Sequence, residues 1–120
     1  MTPTVLIVDD HPTFRSFARD LLQSEGFDVV GEAEDGTSAL AAAGDLRPEV
    51  VLLDVQLPDL SGFEVSKKLK AEGVEAAVVL VSSRSASDYG DLIQSSGAAG
   101  FVPKADLSGD ALRAVLEGTA

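Results

Sequence analysis

The side chains that could do chemistry together each follow a short apolar stretch of the sequence. They are Asp9 and Asp10, Asp54, Ser82 and Lys104. The stretches before them are rich in β-branched residues and have the length of buried strands. In an open parallel sheet, the carboxyl ends of the strands meet at one edge, where ligands bind. We therefore expect these five side chains to lie on one rim.

Three carboxylates on one rim repel one another, by about 3 kcal/mol for a pair roughly 5 Å apart at an effective dielectric constant near 20. A Mg²⁺ ion would relieve this repulsion, because it prefers oxygen ligands, including one or two carboxylates. Lys104 would add positive charge on the other side of Asp54. This combination suits phosphoryl transfer, with Asp54 as the nucleophile that forms an acyl phosphate and Ser82 as a hydrogen-bond donor to a phosphoryl oxygen.

The elements that must position these residues alternate along the chain. The apolar runs predict strands over residues 5–8, 27–30, 50–53, 77–81 and 101–103. Helical spacing predicts helices from Pro12 to just before Gly26, and over about 37–43, 63–71, 87–96 and 108–117. Such β-α units predict one parallel sheet with right-handed crossovers and helices on both faces.

Three further features refine this prediction. Pro103 lacks a backbone N–H, which predicts an edge position for the fifth strand. Gly90 falls inside the fourth predicted helix and predicts low local stability there. Four aromatic residues recur at core spacings and are predicted to be buried: Phe14, Phe17, Phe27 and Phe63.

Composition limits the class of protein. The 120 residues, 45% hydrophobic and 24% charged, predict one globular domain. The absence of cysteine excludes disulfides and cysteine zinc sites. No apolar run is long enough for a membrane span and no secretory leader is visible, which predicts a cytoplasmic protein without membrane contact. The net charge of −11 predicts that this chain makes no direct contact with nucleic acid.

The pattern as a whole resembles the response-regulator receiver domain of two-component systems, over essentially the entire chain. The resemblance rests on Asp9-Asp10, Asp54 with Leu57-Pro58 and Gly62 behind it, Ser82-Ser83, and Phe101 three residues before Lys104. It implies a flavodoxin-like (CheY-like) α/β fold: a three-layer sandwich with five helices and a five-stranded parallel sheet in the order 2-1-3-4-5.

The resemblance also implies roles for individual residues. Asp9, Asp10 and Asp54 would bind Mg²⁺ together with the backbone carbonyl of Gln56. Asp54 would accept a phosphoryl group from a sensor histidine kinase, and Lys104 would pair with that group. The protein would then be a switch that assists its own phosphorylation and dephosphorylation, and not an enzyme acting on other substrates.

The resemblance also implies roles for a switch couple and for two residues near the phosphoryl group. Ser82 and Phe101 would form the switch couple, whose movement remodels the surface of the fourth helix, fifth strand and fifth helix. Gln56 and Arg84 would flank the phosphoryl group and tune its hydrolysis, although an exposed loop arginine is an equal alternative. His11 is expected to be partly exposed at a helix start, outside the site.

The segment from Asp9 to Arg15 most resembles the subfamily that usually carries a C-terminal LuxR-type helix-turn-helix. We therefore expect residues 1–120 to form a receiver domain, with no effector domain in this chain. The expected output is homodimerisation or control of an effector, in transcription regulation.

The sequence departs from the family pattern after the fifth strand. Receivers usually have proline directly after the lysine, whereas here Pro103 precedes Lys104 and Ala105 follows it. A cis bond without proline is costly, so a trans Lys104–Ala105 peptide is expected. Phe101 stands where tyrosine is frequent and lacks its hydroxyl.

Other functions remain open at this point. A phosphatase that uses Asp54 as its nucleophile would need a second aspartate, as general acid, at the position of Gln56. A flavin or nucleotide carrier on the same fold would want a phosphate cradle, where this sequence has the acidic Asp9 and Asp10. A docking module that never takes phosphate is the third alternative. Taken singly, the acids could be helix caps and Lys104 a solvated surface group.

Overall fold

The computed structural model describes residues 2–118 and contains one sheet of five parallel strands. The strands are β1 (Thr4–Val8), β2 (Asp28–Ala33), β3 (Val50–Asp54), β4 (Ala77–Ser82) and β5 (Gly100–Pro103). Their spatial order is β2-β1-β3-β4-β5, which confirms the order expected from the resemblance. β5 lies at one edge, as Pro103 predicted.

Helices cover both faces of the sheet. They are α1 (Pro12–Ser24), α2 (Gly36–Leu46), α3 (Gly62–Ala71), α4 (Leu92–Ser95) and α5 (Gly109–Leu116). The helices α1 and α5 pack on one face through residues such as Leu22 and Leu112. The helices α2 and α3 pack on the other face through residues such as Ala39 and Leu69. The result is the flavodoxin-like three-layer sandwich.

The middle strands hold the rim residues because they are buried on both faces. Every residue of β3 is buried, and alternate residues contribute to the two cores: Leu52 to that of α1 and α5, Leu53 to that of α2 and α3. β1 and β4 are buried in the same way along most of their length. The polar side chains at or just after their carboxyl ends, Asp9, Asp54 and Ser82, are therefore buried as well.

The loop after β3 is tied to the start of α2. The Asp59 carboxylate accepts hydrogen bonds from the backbone N–H groups of Gly36, at 2.7 Å, and Thr37, at 3.0 Å. The Gly36 bond, followed by a bond from the Thr37 side chain at 2.8 Å, lowers the pKa of Asp59 to about 2. Two residues later in the same loop, Ser61 and Glu64 form a capping box that begins α3. The loop that follows Asp54 is thus held where it approaches α3.

The prediction of a fourth helix over residues 87–96 is wrong in extent. The structure has a short 3-10 turn, Ala86–Asp88, followed by the single helical turn α4. Gly90 lies between them with φ of +56°, in the left-handed region that a helix interior excludes. Gly90 therefore separates two short turns and is not part of a helix.

One predicted core residue is also misplaced. Phe27 and Phe63 are buried and Phe14 packs partly against the core, but the side chain of Phe17 is 53% exposed. The buried face of α1 is marked by Ala18, and one residue along a helix is about 100° of rotation. Phe17 is therefore turned away from the sheet, and its ring lies 6.3 Å from that of Phe14 on the same helix.

No cis peptide bond occurs within residues 2–118, so the Lys104–Ala105 bond is trans as expected. Within the same residues, no helix is long and apolar enough to span a bilayer.

Candidate functional site

A pocket of about 310 Å³ opens at the carboxyl edge of the sheet and contains most of the predicted site. It is lined by Asp10, His11, Asp54, Gln56, Leu57, Pro58, Ser82, Ser83 and Lys104. Asp9 is fully buried and contacts Lys104 beside this pocket. A larger pocket, of about 580 Å³, lies near the C-terminal ends of α2 and α3 and contains none of the predicted site residues.

The acidic side chains converge as predicted. Ligand atoms of Asp9, Asp10, His11 and Asp54 all lie within 4.8 Å of one another. Asp9 and Asp54 are buried, and Asp10 lies beside them at the rim. Three clustered carboxylates are the oxygen ligands that Mg²⁺ prefers. The residues present therefore fit a magnesium ion.

His11 lies closer to these acids than the sequence indicated. Its side chain is 66% exposed, as expected, but Nδ1 lies 2.9 Å from Asp9 Oδ1 and 3.1 Å from Asp10 Oδ1. The backbone N–H of His11 also donates to Asp9 Oδ1 at 2.8 Å. Its adjacency to the two acids was the available signal. Because Mg²⁺ favours oxygen ligands, we assign His11 to the rim and not to the ligand set.

Lys104 follows β5 and supplies the positive charge of the site. Its Nζ lies 2.6 Å from Asp9 Oδ2 and 3.4 Å from Asp54 Oδ2. Burial acts to lower the pKa of Lys104, but the two carboxylates outweigh it and raise that pKa. The ring of Phe14 adds a cation–π contact, with its centroid 4.4 Å from Nζ.

Asp54 and Asp9 respond to this environment in opposite directions. Burial, followed by the charge of Asp9, raises the pKa of Asp54 to about 6, although Lys104 opposes the shift. Burial also acts to raise the pKa of Asp9, but the adjacent Lys104 and the hydrogen bonds from His11 leave it below its usual value. The Lys104 ammonium thus stabilises mainly Asp9. Of these two buried carboxylates, Asp54 is the one whose negative charge is less compensated.

Ser82 lies at the end of β4 and has a partner that the sequence reasoning missed. Ser82 Oγ lies 2.6 Å from the hydroxyl oxygen of Tyr89 and accepts a hydrogen bond from the backbone N–H of Arg84 at 3.1 Å. The ring of Tyr89 packs against Phe63 and Phe101, with centroids 5.4 and 5.8 Å away. Tyr89 is the only tyrosine of the chain, which was the one available signal.

The other predicted residues are placed as follows. Phe101 is half-buried and contacts Tyr89. Gln56 lines the pocket and its backbone N–H donates to Asp54 Oδ1 at 3.3 Å. Arg84 is exposed and does not line the pocket. The roles given to Gln56 and Arg84 in hydrolysis stay predictions.

Comparisons with known proteins identify the family of this chain. Residues 5–117 match the family described as the response regulator receiver domain. The transcription regulator BvgA of Bordetella pertussis is 40% identical over 100 residues, which cover 83% of this chain and 48% of that protein. This chain therefore spans about half the length of the curated relatives it matches.

Solved structures are similar over nearly the whole chain. The signal receiver domain of NarL from Mycobacterium tuberculosis has a TM-score of 0.86 at 33% identity, covering 98% of this chain and 96% of that one. A LuxR-family response regulator from Aurantimonas has a TM-score of 0.88 at 26% identity, covering 98% of this chain and 84% of that one. The LuxR-type resemblance is thus matched by relatives, and this chain belongs to the response regulator receiver domain family.

Proposed function

We propose that the chain is a phosphorylation-activated switch of a two-component phosphorelay, with Asp54 as the phosphate acceptor. The observation that carries this proposal is the placement of a buried Asp54, with a pKa raised to about 6, beside the Asp9 carboxylate and 3.4 Å from the Lys104 ammonium. A buried carboxylate whose charge is poorly compensated can act as a nucleophile toward phosphorus. The acyl phosphate that forms carries more negative charge than the carboxylate, and Lys104 and a bound cation would compensate that charge.

The metal ligands in this proposal are the carboxylates of Asp9, Asp10 and Asp54 and the backbone carbonyl of Gln56. A bound Mg²⁺ would supply charge neutralisation for the transferring phosphoryl group. The close approach of the three carboxylates supports this assignment.

The donor would be the phosphohistidine of a sensor kinase. An oxygen of Asp54 forms the new P–O bond while the P–N bond of the donor breaks, and the imidazole nitrogen keeps the electron pair. Lys104 Nζ, at 3.4 Å from Asp54 Oδ2, is near enough to pair with an oxygen of the transferred group. Gln56 and Arg84 would tune the later attack of water on the acyl phosphate.

The output would be a shift of population between two arrangements of the domain. The phosphoryl group favours the arrangement in which Ser82 Oγ and Lys104 Nζ both contact it, and Phe101 follows Ser82. The surface formed by α4, β5 and α5 changes as a result and controls homodimerisation or an effector. With relatives that are transcription regulators, a cytoplasmic role in transcription is the setting we propose. The net charge of −11 disfavours direct contact of this chain with DNA.

The test is phosphorylation in solution. The protein is incubated with Mg²⁺ and a small acyl phosphate, and its intact mass is measured over time. We expect one added phosphoryl group that requires Mg²⁺ and is absent in Asp54→Asn. An unmodified mass would favour a docking module, and steady turnover of varied phosphate esters would favour a phosphatase.

A further inference from the structure

We propose that the Tyr89 hydroxyl is a positioning residue that holds Ser82 in its resting orientation and competes with the phosphoryl group for Ser82 Oγ. This inference rests on the proposed function and adds to it a residue that the switch couple of Ser82 and Phe101 does not include.

The first support is the hydrogen bonding of Ser82. Its side chain is buried, and its Oγ has hydrogen bonds within residues 2–118 to the hydroxyl of Tyr89, at 2.6 Å, and to the backbone N–H of Arg84, at 3.1 Å. Neither bond reaches Asp54 or Lys104. A serine hydroxyl has one proton and two lone pairs, so these two partners occupy much of its capacity. Rotation of Ser82 toward an acyl phosphate on Asp54 would break the contact with Tyr89.

The second support is the aromatic packing that fixes Tyr89. Its ring lies edge-on to Phe63 of α3 at 5.4 Å and tilted against Phe101 of β5 at 5.8 Å. Aromatic pairs at these distances favour defined orientations. The hydroxyl of Tyr89 is therefore presented to Ser82 by a packed ring and not by a mobile side chain.

The third support is the position of Tyr89 in the backbone. Its N–H donates to the carbonyl of Ala86 in the 3-10 turn, at 3.1 Å, and its carbonyl accepts from Leu92 at the start of α4, at 3.2 Å. Gly90, directly after it, has the left-handed conformation that lets the chain change direction. When Ser82 leaves Tyr89, the released ring is attached to both turns of the β4–α4 connection. Tyr89 therefore links the state of Ser82 to the surface that includes α4.

The main test is the rate of phosphorylation by a small acyl phosphate with Mg²⁺, in Tyr89→Phe, Ser82→Ala and the double variant. Tyr89→Phe removes the hydroxyl and keeps the ring. One neutral hydrogen bond corresponds to a rate increase of about 2- to 10-fold for Tyr89→Phe. In the Ser82→Ala background the same substitution should change the rate by less than about 2-fold, because Tyr89 acts through Ser82. Ser87→Ala is the matched control, since it removes a hydroxyl from the same connection that contacts Ser85 and not Ser82.

A second readout needs no variant at Tyr89. The chain has one tyrosine and no tryptophan, so emission excited beyond the absorption of phenylalanine comes from Tyr89. We expect this emission to change when wild-type protein is phosphorylated, and to change in unphosphorylated Ser82→Ala.

The outcomes are separable. Phosphorylated wild type with unchanged emission, or an unchanged or slower rate in Tyr89→Phe, would overturn the role of Tyr89 and leave the proposed function standing. An equal acceleration in the Ser82→Ala background would also overturn it, because Tyr89 would then act elsewhere. A wild type that takes no phosphoryl group would overturn the proposed function and this inference together.

Discussion

At the scale of single residues, the environment of Asp54 explains its chemistry better than its identity does. Asp54 shares the rim with a second buried carboxylate, Asp9, and the nearby ammonium of Lys104 lies closer to Asp9. Burial and the charge of Asp9 therefore leave Asp54 with a raised pKa of about 6. In the absence of metal and phosphate, its negative charge is a cost to the folded state.

This cost predicts that Asp54→Asn is more stable than wild type at pH 7 in Mg²⁺-free buffer, by about 1–3 kcal/mol. The pKa of Asp54 is about 6 in the folded state and 3.8 in the unfolded state. Between pH 3.8 and pH 6, the folded wild type therefore binds the proton of Asp54 more tightly than the unfolded chain does. Its relative stability therefore falls as pH rises through that window. Denaturant unfolding at pH 4 and pH 7 is the measurement, and the advantage of the variant should be close to zero at pH 4. An equal advantage at both pH values would contradict the account of Asp54.

The sequence predicted the rim residues because each follows an apolar strand, and parallel strands bring their ends together. It did not predict the contact of Tyr89 with Ser82 or of His11 with Asp9. Both contacts depend on loop backbone conformation and on packing of side chains from separate elements, which hydrophobic periodicity does not record.

At the scale of elements, the connection between β4 and β5 is the least regular part of the sandwich. It contains a 3-10 turn, a left-handed glycine and a single turn of helix, where periodicity predicted one continuous helix. By contrast, the strands follow from apolar runs and agree with the structure to within a few residues. β2 differs most, extending to Ala33 where the prediction ended at residue 30, because the partly exposed Gly31 and Glu32 interrupt its apolar pattern.

Two glycine substitutions distinguish a left-handed glycine from a glycine inside a helix, because they should change stability in opposite directions. Gly90→Ala should lower the free energy of unfolding by about 1–2 kcal/mol, because its φ of +56° brings a Cβ too close to the backbone. Gly44→Ala should raise it by about 0.5–1 kcal/mol, because Gly44 lies within α2 with open space around it. Chemical denaturation of the two variants and of wild type, under the same conditions, is the measurement. If Gly90→Ala were stabilising, Gly90 would belong to a helix, as the sequence alone suggested.

At the scale of the whole molecule, charge and topology act together at one edge of the sheet. Helix and strand periodicity predicted a parallel sandwich, but the strand order came from the family resemblance, since long-range pairing leaves little local signal. The net charge of −11 disfavours further anions, and the three carboxylates on the rim concentrate this effect at the pocket. A specific cation is therefore expected to stabilise the folded molecule beyond general screening.

Mg²⁺ at about 100 times its dissociation constant should raise the free energy of unfolding by about 2.7 kcal/mol. NaCl at matched ionic strength should do much less, because screening acts on all exposed charges alike. Asp9→Asn removes a ligand and should lose most of the Mg²⁺ effect. Thermal unfolding with each salt is the measurement, and equal stabilisation by both salts would contradict a specific site.

The central claim, that Asp54 takes the phosphoryl group, is tested most directly by mapping the modified residue. Protein treated with Mg²⁺ and a small acyl phosphate is reduced with borohydride, which converts an aspartyl phosphate to homoserine, and the peptides are then sequenced by mass spectrometry. The account predicts homoserine at position 54 and at no other aspartate. Homoserine at Asp9 or Asp10 instead, or no conversion in protein that is correctly folded, would contradict it.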